Sequence, residues 1–174
     1  MGPRTAAPAP AGGVLHYAEA ALPGAAIGLA AGSFGAVTAA LAGLGAGLTG
    51  AIAAGMGAPL ALLGGVYGVL VGRGLVAPGA IGPAALFWVV GFPAARLAEE
   101  AFVAAAVGHG AVLREPLPSF LLFQAMLSLG FAIGFLWLHE RLAPRWFRRI
   151  RSRNPVAAAL SSHYAPPPGR PRGS

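Results

Sequence analysis

The sequence predicts an all-α, polytopic integral membrane protein: a bundle of about four transmembrane helices followed by a basic amphipathic interfacial helix. Three observations carry this. The 174-residue chain is 56% hydrophobic and only 10% charged, with a mean hydropathy of +0.70, a composition suited to lipid rather than water. The 53 residues between Glu19 and Arg73 carry no charge, and neither do the 23 from Pro116 to Leu138, where one helical span needs about 20. The net charge of +7 is also confined to one end, since residues 141 to 174 hold 8 Arg and no Glu, against 4 Arg and 5 Glu in residues 1 to 140. Basicity that would suggest a nucleic-acid binder as a whole-chain figure is therefore a tail on a nearly neutral apolar body, and no nucleic-acid partner is expected.

Taken in order, residues 1–13 are mostly Pro, Ala and Gly with one Arg and have too little bulky apolar surface to offset the entropy of ordering, so a disordered segment is expected. The long uncharged run divides at Gly43, Gly45, Gly47 and Gly50, which mark a turn between spans of about 23–43 and 51–72. Arg73, Gly74, Pro78, Gly79, Gly82 and Pro83 form the next break. A third span follows from about 82, ending near 98 where Arg96, Glu99 and Glu100 interrupt it, or continuing to about 108. The fourth, 116–138, is opened by Pro116 and Pro118 and closed by His139, Glu140 and Arg141. Its twelve Leu, Ile, Phe and Val residues contribute roughly −4 to −7 kcal/mol to insertion, whereas the five of the first span contribute roughly −1.5 to −3. These spans form a transmembrane domain over 14–139. Residues 140–153 are expected to lie on the membrane surface as a basic helix, and 154–174, rich in Pro and Arg, to be disordered.

Four sets of residues are candidates for function. Gly24, Gly28 and Gly32, continued by Ala36 and Ala40, recur at every fourth position, as do Gly64, Gly68 and Gly72. Small residues so spaced let helix backbones approach closely in lipid, either within this chain or against a partner subunit or second copy. Arg96 faces Glu99 at i+3 and Glu100 at i+4; if the third helix continues, Gln124 of the antiparallel fourth span falls at the same depth, and the four could line a transport pathway. In the tail, Arg141, Arg145, Arg148, Arg149 and Arg151 flank Trp146, a pattern for anionic lipid at the cytoplasmic face. His16 with Glu19, and His139 with Glu140, lie near one boundary, but without HExxH or paired ExxH spacing no metal or haem site is assigned.

Catalysis is not expected. The chain has no Cys and no Asp, only three Thr, and neither a Gly-x-Ser-x-Gly elbow nor a phosphate loop ending in Lys, which closes the usual nucleophilic and phosphoryl routes. No cofactor is implied. Arginine without lysine, beside abundant Ala and Gly, fits a GC-rich bacterial genome and hence the bacterial cell (inner) membrane. Arginine placement puts both termini in the cytoplasm. The expected function is that of a small non-catalytic accessory, assembly or scaffold subunit; the alternative is a small-solute or proton transporter or channel using the Arg96 cluster.

Overall fold

The computed structural model describes residues 12–108 and 111–164; the expected disorder of residues 1–11 and 165–174 lies outside them. Five helices make up the described chain: α1 (Val14–Leu41), α2 (Ala46–Gly72), α3 (Ile81–Val107), α4 (Leu117–Ile150) and α5 (Pro155–His163). The first four are long and apolar enough to cross a membrane. They run up and down in sequence, with each neighbour packed on the next and α1 closing the ring against α4. One end of the bundle, called here the tail end, holds the start of α1, the α2–α3 loop, the end of α4 and α5. The other is the far end.

α1 and α2 join through glycine. A Cβ built on Gly24 would fall on the carbonyl oxygen of Gly64, one on Gly28 on the carbonyl of Leu60, and one on Gly32 on the Cα of Gly57. From the other side, a Cβ on Gly68 would stand 2.8 Å from the Cα of Ala21. The two ladders therefore face each other within the chain, with backbones in contact, the kind of packing by which dispersion holds helices together where the hydrophobic effect gives no drive. Gly72 is used differently, against the Tyr17 ring and Val156 of α5.

The other half of the bundle is held by rings. Tyr67 of α2 meets Phe87 of α3 and Phe135 of α4 edge-on, with centroids 5.5 and 5.2 Å apart. Trp88 packs against Phe131 and Phe135, each at 4.7 Å, and Phe92 lies over Phe131 at 4.9 Å. Such pairs contribute about 0.5–1.5 kcal/mol each beyond the area they bury.

Besides the earlier start of α2, three parts of the chain depart from the sequence expectation, each where distant parts of the chain make contact. α1 begins at Val14 rather than near residue 23 and carries Pro23 inside it. A proline cannot donate to the carbonyl four residues back, here that of Glu19, and the Trp146 indole N–H donates to that oxygen at 2.8 Å instead. Residues 140–150 are not a separate surface helix; they continue α4 without a break, Pro144 included. Ala143, Phe147 and Ile150 are buried because they prolong the inward stripe of Phe135 and His139 at three- and four-residue steps. Residues 155–163, expected to be disordered, form α5, whose first turn is capped by the Asn154 side chain accepting from Ala157 N–H at 3.0 Å.

The turns carry the backbone positions that demand glycine. Gly43 (φ 78°) closes α1, Gly74 and Gly79 shape the α2–α3 loop, and Gly108 (φ 72°) caps α3 in the left-handed region, where a side chain is disfavoured. Gly47 and Gly50, read from sequence as part of the first turn, lie inside α2.

A polar knot ties the tail end together. The Asn154 amide donates to the His16 carbonyl at 2.9 Å and to Glu19 Oε2 at 3.0 Å, and Arg153 donates to Glu19 Oε1 through Nε at 3.0 Å. On the neighbouring corner Glu140 Oε1 accepts from the Gly79 backbone N–H and from the Tyr164 hydroxyl, both at 3.0 Å. Burial, and then the Glu140 charge beside it, push the Tyr164 hydroxyl well above the usual tyrosine range, which favours the protonated form that donates to Glu140. Trp146→Phe, which keeps a ring but removes the N–H, is expected to cost about 1–3 kcal/mol by orphaning the Glu19 carbonyl. A lowered unfolding midpoint in detergent measures it.

Candidate functional sites

Whether α3 ends before its charged residues or carries them inward decides what Arg96, Glu99 and Glu100 can do. The helix runs to Val107, so all three are helical and lie within the last three turns. Arg96 is ion-paired with Glu99 and donates from Nη2 to Glu100 Oε1 at 2.9 Å. Glu99 is 5% exposed. It faces α2 at Gly55, where a Cβ would stand 3.4 Å from Glu99 Cγ and 3.0 Å from the Phe102 ring; the missing side chain of Gly55 makes room for the acid.

Gln124 reaches the same depth. It lies seven residues into α4, and Glu99 lies eight residues from the end of α3, roughly 10–12 Å in from the far end in each case. Gln124 is also 5% exposed, and its Oε1 has no donor among the described residues. A cleft of about 400 Å³ opens beside it at the far end, lined by Arg96, Glu100, Arg114, Glu115 and Gln124 with Phe120 and Phe123. The structure therefore brings together three of the four predicted cluster residues around the cleft, while Glu99 lies behind them against α2, joined through Arg96. Ser128, one turn below Gln124, donates to its own helix at the Ala125 carbonyl, 2.6 Å away.

Toward the tail end from this cluster, the interior is filled by the rings of Phe92, Phe131, Trp88, Phe135 and Tyr67. His139 continues the column. The sequence placed it at a helix end, yet it is 1% exposed, edge-on to Tyr67 at 5.5 Å and stacked over Phe135 at 5.9 Å. Glu140 Oε1 lies 3.7 Å from its Nδ1. His16 and Glu19 are held on a different corner by Asn154 and Arg153, and among the described residues no three His, Asp or Glu side chains converge as a metal ion would need.

The tail arginines Arg141, Arg145, Arg148, Arg149 and Arg151 are all exposed, and Trp146 is half-buried. Arg141 stacks over the Trp137 ring, 4.2 Å from its centroid. The lipid-facing pattern read from sequence is thus displayed from the end of a membrane-length helix rather than from one lying flat.

One pair of residues escaped the sequence reading. Gly130 and Gly134 of α4 are exposed, outside the buried stripe of Gln124, Ser128, Phe135 and His139, and a Cβ on either would have no atom within 4 Å. Met126, Ile133 and Trp137 flank them, all exposed. The signal was present as G-x-x-x-G within 116–138, overshadowed by the longer ladders of α1 and α2.

No family model, curated protein or solved structure matches the chain.

Proposed function

We propose that this is a multi-pass protein of a bacterial inner membrane, with both termini in the cytoplasm, that acts as a non-catalytic assembly subunit by docking a helix of a larger membrane protein on the outward face of α4. The observation that carries this is the open Gly130–Gly134 pair. Glycine at the middle of an exposed helical face costs about 1 kcal/mol of helix propensity relative to Ala, and forgoes the roughly 0.3–0.6 kcal/mol that Leu would add to insertion. Such positions are retained where another backbone comes close. The ladders of α1 and α2 are used within the chain, whereas Gly130 and Gly134, spaced four apart near the middle of α4, are open to a partner. Orientation follows from the arginine-rich tail end, and the bacterial source from arginine used without lysine.

A second reading, a small-solute or proton transporter or channel, is favoured by the buried Glu99 and the cleft beside Gln124. The aromatic column below the cleft favours the assembly reading over it. The two separate in one experiment. Mild-detergent purification of the wild type should recover a membrane protein in stoichiometric amount, and Gly130→Leu/Gly134→Leu should lose it while eluting as a folded species. Recovery of no partner, together with proton or solute flux in proteoliposomes that Glu99→Gln abolishes, would establish the second reading instead. A second copy of the chain on the same face would appear as a glycine-dependent dimer in place of a partner.

A further inference from the structure

The basic end of α4 is half of a groove. Between α1 and α4, near the tail end, an apolar trough of about 650 Å³ is walled by Leu22, Ala26 and Leu29 of α1 and by Leu142 and Trp146 of α4. Its floor is Ala61 of α2. The volume falls within the roughly 300–1,000 Å³ range of ligand-binding clefts. Arg145 and Arg149, one helical turn apart on α4, complete its lining. Neither has a carboxylate within 4.0 Å among the described residues. Glu19, whose backbone carbonyl accepts from Trp146, has its carboxylate occupied by Arg153 and Asn154. Trp146 is fixed at the mouth by its bond to the Glu19 carbonyl.

We infer that this groove is a binding site for one anionic phospholipid, with an acyl chain lying along Ala26 and Leu29 and the headgroup phosphate held between Arg145 and Arg149. Charge complementarity selects the occupant. Two guanidiniums with no carboxylate within 4.0 Å line an open apolar trough, and guanidinium matches phosphate with paired donors. An indole at the interface suits the glycerol level of a lipid. A comparable apolar groove of about 610 Å³ between α3 and α4 has Arg141 and Glu140 together at its mouth, so it presents no net charge and has no such preference. The site is narrower than diffuse attraction of a basic tail to an anionic leaflet: it assigns the phosphate to two of the exposed tail arginines and leaves Arg148 and Arg151 out.

The inference rests on the chain being embedded in a membrane, which detergent-dependent extraction from the membrane fraction checks separately. The protein, extracted and delipidated in mild detergent, is titrated with dioleoylphosphatidylglycerol or dioleoylphosphatidylcholine and followed by native mass spectrometry. The expected result is one retained phosphatidylglycerol per chain, bound at least about tenfold more tightly than phosphatidylcholine. Arg145→Ala/Arg149→Ala should lose that preference, and Arg148→Ala/Arg151→Ala should keep it. Ala26→Phe, which fills the channel and leaves both arginines, should also lose the bound lipid while eluting like the wild type. Equal loss in both arginine pairs would reduce the effect to diffuse charge, and retention in the Ala26→Phe variant would remove the channel; either overturns the site.

Discussion

Gly28→Leu is expected to leave no folded bundle. The new Cβ would coincide with the Leu60 carbonyl of α2, and a backbone cannot turn aside as a side chain can. The two helices must separate along the contact that also uses Gly24, Gly32, Gly64 and Gly68. Overpacking an ordinary core costs about 1–3 kcal/mol; here the whole α1–α2 seam opens, so the loss should exceed that range and approach the 5–15 kcal/mol of an entire small domain. α1, which carries few strongly apolar residues, has little else to hold it. The check is the yield of monodisperse protein in mild detergent, with Gly50→Leu as control, since a Cβ at Gly50 meets nothing within 4 Å. Loss in the first and survival in the second is the expected pair.

Arg96→Ala should be the most damaging change at the far end. It removes the guanidinium that neutralises Glu99, whose side chain is 7% exposed. Removing one partner of a buried ion pair costs about 3–5 kcal/mol because the remaining charge is left without compensation. The arginine side chain is itself 22% exposed, which places the cost near the lower end. Glu99→Gln should be mild, because Arg96 keeps Glu100 at 2.9 Å and the amide fills the same space beside Gly55. The double change Arg96→Ala/Glu99→Gln should recover most of the stability lost in Arg96→Ala. Unfolding midpoints of the three variants in one detergent give the comparison.

What could be read from the sequence was whatever depends on neighbours along one helix. The four-residue spacing of Gly24, Gly28 and Gly32 and of Gly64, Gly68 and Gly72 defines a face without knowledge of its partner, and two such ladders in consecutive antiparallel helices meet. The pairing of Arg96 with Glu99 and Glu100 is likewise local. What stayed hidden depends on partners far away in the chain. Glu19 and Pro23 looked like the edge of a span, because nothing near them announces that Trp146 satisfies the carbonyl Pro23 frees. Glu140 and Arg141 looked like the end of the fourth span for the same reason. Their helix continues because Ala143, Phe147 and Ile150 bury against the bundle's tail end. His139 had no visible reason to be interior until Tyr67, from two helices earlier, closed over it. Glu99 was recognisable as a paired acid, but its burial needed the gap at Gly55.

The role assigned to the α4 face can be tested inside the membrane. The chain has no cysteine, so single cysteines placed in turn from 126 to 138 give no background, and oxidative crosslinking in intact membranes reads which face of α4 meets another helix. The proposed assembly role predicts crosslinked products that rise and fall with the helical period, strongest at 130 and 134 and absent at 128, 132 and 135, where the side chains are buried in the chain's own core. Yields at 130 and 134 no higher than at the buried positions would contradict it.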